Sequence, residues 1–99
     1  MDIHAVKDGG VIRVTLSGRM DMDNALKAEQ AFLKYSASGN VFELDFSEVD
    51  FIGSAGIRAL LTLYRTVTDK DGSVAIKNPS EQVLEVLKET EFLPLFTIV

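Results

Sequence analysis

The chain has 99 residues, of which 46% are hydrophobic and 25% charged, and carries a net charge of −5 with no cysteine and a single histidine. That length and balance fit one compact domain over residues 1–99. Disulfides and thiolate metal sites are excluded, and the acidic charge argues against a direct nucleic-acid footprint. No basic region followed by an apolar run opens the chain, and no apolar stretch approaches the roughly 18 residues of a membrane span. A cytoplasmic protein is the expected location.

Residues Ile3 to Lys7 and Val11 to Ser17 read as strands joined by Asp8-Gly9-Gly10, whose glycines can take the positive φ of a tight hairpin. An antiparallel pair is expected there. In the second strand Ile12, Val14 and Leu16 share one face while Arg13 and Thr15 share the other. A helix is predicted from Asn24 to about Ser36, capped by Asp23 or Asn24, with Ala25, Ala28, Phe32 and Tyr35 inward and Gly39 after it. Phe42, Leu44 and Phe46 alternate with Glu43 and Asp45 as the next strand. A second helix is predicted from Ser54, as its N-cap, to about Thr68, burying Ile57, Leu60, Leu61 and Tyr64. Gly72 breaks it before a strand around Val74 and Ile76. A third helix is expected from Ser80 to about Glu89, with Val83, Leu84 and Leu87 inward, and a last strand from Leu95 to Val99. The predicted order is ββαβαβαβ. Alternating rather than continuously apolar strands imply an α/β fold with a mixed sheet, helices mainly on one face and a partly wet opposite face.

The chemistry-bearing residues are few. His4, on an edge strand, reads as a solvated side chain, and one histidine without cysteine leaves few routes to a nucleophile-base pair or a transition-metal site. Ile52-Gly53-Ser54-Ala55-Gly56 lacks the first glycine of a hydrolase elbow, and no phosphate-binding glycine-lysine loop is present. No enzyme and no cofactor is expected. Asp21, Asp23, Asp45 and Asp50 fall at strand ends or in adjoining loops and are expected near Ser54. Scattered aspartates serve more often as turn formers, caps and docking groups than as a metal site. Ser54 is singled out because a hydroxyl at a helix start lies at the positive end of the helix dipole, which favours an added phosphate.

The segment Phe51-Ile52-Gly53-Ser54-Ala55-Gly56-Ile57-Arg58-Ala59-Leu60-Leu61, with Asp45-Phe46-Ser47 before it, resembles the signature of the STAS family, and Gly18-Arg19-Met20-Asp21 resembles the family's Gly-Glu-Leu-Asp corner. The resemblance runs through almost the whole chain and is to the anti-sigma-factor-antagonist type. It implies the STAS layout and a cytoplasmic phospho-switched partner-binding protein acting in transcription control. It also implies a GHKL-type serine kinase, itself the anti-sigma factor, that binds the unphosphorylated chain and phosphorylates Ser54, and a PP2C-type phosphatase that reverses the step. The partner surface it implies is Asp21, Asp23, Gly53, Ser54, Ala55, Gly56 and Arg58. Where many phosphorylated members carry aspartate before the serine and a hydroxyl after it, this chain has Gly53 and Ala55; Arg19 replaces the corner's glutamate. The alternative is a constitutive STAS adaptor of a transporter or lipid-transport complex.

Overall fold

A computed structural model describes residues 1–99 and contains β1 (Asp2–Asp8), β2 (Val11–Met20), α1 (Met22–Ser36), β3 (Val41–Ile52), α2 (Ser54–Thr68), β4 (Ser73–Lys77), α3 (Glu81–Glu89), a 3-10 turn (Leu93–Leu95) and β5 (Thr97–Ile98). The five strands lie in chain order across one sheet; β1 pairs antiparallel with β2, and every later neighbour pairs parallel. This is the expected mixed α/β sheet. Asp8 stands opposite Val11 across the hairpin, and Gly9 takes φ +63, as the turn requires.

Parallel neighbours need crossovers, and α1, α2 and α3 supply one each. Ile12, Val14 and Leu16, then Phe42, Leu44 and Phe46, then Val74 and Ile76 are buried beneath them. The opposite face is wet. There Arg13 bridges Asp8 at 3.3 Å and Glu43 at 2.8 Å, and Lys77 reaches Glu43 at 3.2 Å. Burying these groups would cost several kcal/mol for each desolvated ion, so the ladder stays in water.

Four expectations are corrected. β2 and β3 run on to Met20 and Ile52, and two register shifts between them break the alternation, so the next buried residues after Phe46 are Val49 and Ile52, at intervals of three. The buried face of α2 is Gly56, Ala59, Leu60, Leu63 and Val67, whereas Ile57, Leu61 and Tyr64 are only half-buried. Gly56 helps set that phase, since a Cβ there would stand 2.7 Å from Ile52 Cγ1 at the end of the sheet. Tyr35 on α1 and Leu84 on α3 are likewise half-buried. The chain end is a 3-10 turn around Pro94 followed by a two-residue strand, because proline fixes φ and supplies no N–H to a ladder.

Candidate functional site

The ends of β2 and β3 deliver two helix starts to the same edge of the sheet. At the first, Asp21 is the N-cap of α1, not Asp23 or Asn24: its carboxylate accepts from the Asn24 N–H at 3.1 Å. Asn24 instead donates from its side-chain amide to the Arg19 carbonyl at 2.8 Å and accepts from the N-terminal ammonium at 3.3 Å. Asp23 is exposed in the first turn.

At the second start the cap is Gly53, not Ser54, and no side chain accepts from the first N–H groups of α2. Ser54 is the first helical residue and is exposed. The reason lies in how the loop is tied. Gly53 donates to the Met20 carbonyl at 3.2 Å, and its own carbonyl takes the Ile57 N–H at 3.1 Å, so the turn closes one residue before the serine. Gly56 is buried against the sheet ends; a Cβ there would stand 2.7 Å from Ile52 Cγ1 and 3.1 Å from the Met20 oxygen. A glycine is required for that approach. The consequence is a close-packed turn at which Ser54 is exposed, Ala55 is half-buried and Arg58, one turn further, is exposed.

The four aspartates stand in separate settings, and Asp23 shares a cavity with Ala55 and Arg58 at the Ser54 turn. Asp21 is spent on its cap, and Asp45 accepts from the Ser47 N–H at 2.9 Å on the strand. That backbone bond, joined by the Ser47 hydroxyl and the nearby Lys77 charge, holds the Asp45 carboxyl below the usual carboxylate range against an opposing effect of burial. Asp50 lines a separate open cavity of about 470 Å³ with Arg19, Phe51, Gln82, Glu85 and Val86. No group of three or more His, Asp or Glu side chains is placed to hold a metal ion.

Asp23 and Arg58 line a second cavity of about 290 Å³, between the starts of α1 and α2, together with Ala55, Met22, Leu26 and Glu29. Met22, Leu26 and Glu29 escaped the reading of the sequence. The signal was present as apolar residues off the buried stripe of α1 at helical spacing. Arg19, which stands where the family corner has glutamate, lays its guanidinium 4.2 Å over the Phe51 ring, and that ring packs toward Gly53.

The fold has counterparts among solved structures. The family model described as STAS domain matches residues 2–99. The chain belongs to the STAS family. An anti-sigma factor antagonist from Mycobacterium paratuberculosis is similar in structure at 24% identity, TM-score 0.86, over 98% of this chain and 83% of that one. The anti-sigma factor antagonist SpoIIAA is similar in its unphosphorylated form (14% identity, TM-score 0.79, 99% and 87% covered) and, as a Bacillus cell fate determinant, in its phosphorylated form (15%, 0.78, 99% and 91%). The murine anion transporter Slc26a9 is also similar, at 22% identity and TM-score 0.75, over 90% of this chain but 15% of the transporter. At these identities the likeness is one of fold. Among curated protein sequences, none matches. No helix of this STAS domain is long and apolar enough to cross a membrane.

Proposed function

We propose that this STAS domain is an anti-sigma factor antagonist that binds a GHKL-type serine kinase, itself the anti-sigma factor, through the Ser54 turn. Phosphorylation of Ser54 ends that complex, and a PP2C-type phosphatase restores it. The observation that carries the reading is an exposed hydroxyl on the first residue of a helix that is pinned by Gly56 and left uncapped at its start. Because Ser54 does not serve as the cap, a kinase need not unmake a structural hydrogen bond to reach it. The added group brings about −1.5 to −2 charge to a helix start where negative charge is tolerated in the free protein. In a packed interface the same group must be desolvated, and a loss of about 3 kcal/mol weakens binding more than a hundredfold. In this reading the protein acts in the cytoplasm by binding alone, as a substrate of other enzymes.

The test begins with phosphosite mapping by mass spectrometry on protein from its native cells, grown with and without stress. Occupancy at Ser54 that changes with conditions is expected. Ser54→Ala should bind the kinase and resist modification, while Ser54→Asp should bind poorly; equal affinity of the two variants sinks the switch. The second reading, a constitutive adaptor of a transport complex, is favoured by the Slc26a9 likeness and by Gly53 standing where many phosphorylated relatives have aspartate. Unmodified Ser54 under every condition, with co-purification of a membrane transport complex, would decide for it.

A further inference from the structure

The two edges of the sheet are finished differently. On one side β5 has two residues and follows the Pro94 turn, which leaves little backbone for another strand to join. On the other, β1 runs for seven residues in unbroken register with β2, without proline or bulge, and its outer edge is open. The two-residue turn makes Asp8 and Val11 a hydrogen-bonded pair. Alternation then turns the N–H and C=O groups of Asp2, His4, Val6 and Asp8 toward β2 and those of Ile3, Ala5 and Lys7 outward. Ile3 and Ala5 place their side chains on the helix side and are half-buried, while His4, Val6 and Asp8 stand exposed on the wet face beside Thr15 and Arg13. Among them Val6 is an apolar side chain 61% exposed. A long, regular and uncovered edge with an apolar centre is a template for another strand.

We propose that β1 pairs antiparallel with β1 of a second copy about a two-fold axis at Val6, joining the two sheets into one. The outward backbone groups restrict the register, because Ile3, Ala5 and Lys7 must meet each other; for most of the strand to overlap, the axis falls at His4, Ala5 or Val6. An axis at Ala5 sets Asp2 against Asp8 twice, and like charges directly opposite are destabilising. An axis at His4 sets imidazole on imidazole and Asp2 on Val6. The axis at Val6 sets valine on valine, Ala5 on Lys7, and His4 on Asp8 at both ends, where a ring N–H donates to the carboxylate in either charge state of the histidine. The other charges near the edge fit this register. Asp2 falls opposite Gly10, and Arg13 holds Asp8 at 3.3 Å from the strand behind, so that carboxylate lies between two donors. The net −5 on each copy opposes association, and the choice of a second copy rests on the self-complementary strand. Because the β5 edge is short, pairing stops at a closed dimer. The Ser54 turn lies beyond Met20, at the far end of β2 from Val6, and stays open.

The full chain is followed by sedimentation velocity in about 0.15 M salt, where a screening length of about 8 Å leaves the adjacent pairs to decide. A monomer–dimer equilibrium is expected between about 10 µM and 1 mM, the range of a pairing carried by about four ladder hydrogen bonds. Since the chain has no cysteine, a single introduced one reads the register. Residues facing each other in a non-hydrogen-bonded antiparallel pair have Cα atoms about 4.5 Å apart, within disulfide reach, so Val6→Cys should cross-link to itself at least about tenfold faster than Gln30→Cys, exposed on α1. His4→Asp should weaken the dimer by about tenfold or more, because two attractive pairs become two repulsive ones, and adding Asp8→His should restore it. The lost bridge to Arg13 matters little at so exposed a site. His4, Val6 and Asp8 are all exposed, so folding is not at stake. A chain that stays monomeric at about 1 mM leaves the edge to a strand of another protein and overturns the proposal. So does cross-linking no faster at position 6 than at 30, unchanged affinity in His4→Asp, or a double variant no tighter than that single one.

Discussion

The starts of α1 and α2 emerge from adjacent strand ends and are finished in opposite ways. α1 is closed by its own side chain, the Asp21 carboxylate on the Asn24 N–H. α2 begins at Gly53 with no side chain on its N–H groups and is held by sterics, with Gly56 pressed on Ile52 and Met20. The third helix sides with the first, because the Ser80 hydroxyl accepts from the Val83 N–H at 3.2 Å. A capped start spends its polar groups on stability; an uncapped start keeps them for something outside the fold. In this chain the uncapped start is the one that displays the serine.

The strongest way to break this comparison is to remove the steric hold. Gly56→Ala should destabilise the protein by about 1–3 kcal/mol, because the new methyl collides with Ile52 and the Met20 backbone. The loss is expected although alanine is by itself the better helix former by about 1 kcal/mol. A urea midpoint at or above that of the parent would show that α2 is not pinned there. Next comes the chemical hold on α1. Asp21→Ala should cost about 1 kcal/mol with the same m-value, as the loss of a cap does. If it costs nothing, the contrast between the two starts has no energetic content.

Much of this was legible in the sequence where a periodicity ran undisturbed. Ile12, Val14 and Leu16 and then Phe42, Leu44 and Phe46 alternate cleanly and are all buried. The pattern failed past Asp45, where its bond to the Ser47 N–H accompanies a register shift that changes which side chains face inward. It failed differently in α2, where Ile57, Leu60, Leu61 and Leu63 are large and apolar around most of the helix, so no stripe stands out. There Gly56 helps set the phase through its close approach to Ile52 and Met20, a property of the partner surface and not of the helix alone. The cap at Ser54 was misplaced for a related reason. Serine is a good cap by type, but the Gly53 N–H had already been claimed by Met20 and its carbonyl by Ile57, closing the turn a residue early. The Ser54 turn was visible as a motif, while its neighbour groove was not, since Met22 and Leu26 acquire meaning only once α1 and α2 lie side by side.

Acid sharpens the comparison from the strand side, with a smaller effect. Folding holds the Asp45 carboxyl below its ordinary 3.8, chiefly through the Ser47 backbone N–H. Its contribution is therefore complete above that unfolded value and is lost as pH falls through the lowered folded one. Asp45→Asn should flatten the acid limb of a stability-pH profile below about pH 4 and leave its shape at neutral pH unchanged. An acid limb as steep as the parent's would remove Asp45 as a source of it.

The smallest effects fall on α2 itself and test what its open start is for. Ser54→Ala should leave stability within about 0.5 kcal/mol of the parent, because no capping bond is lost. A cost near 1 kcal/mol would mean that the hydroxyl caps the helix in solution after all. Gly53→Asp asks the converse question. The backbone at Gly53 is extended, φ −102, and a Cβ there meets the Phe51 ring at an ordinary 3.4 Å, so aspartate fits without strain. Its carboxylate can accept from the free N–H groups, for a gain of only a few tenths of a kcal/mol over glycine as cap. The informative quantity is the coupling with Ser54→Asp, whose carboxylate in the first turn should by itself stabilise the helix start by about 0.3–1 kcal/mol. If both carboxylates draw on the same N–H groups and repel each other, the double variant gains less than the sum of the singles. Strict additivity would mean that the two carboxylates engage separate N–H groups, whereas no gain from Ser54→Asp alone would mean that a negative charge on residue 54 does not engage the helix start, and the electrostatic reason for placing a phosphate there would fall.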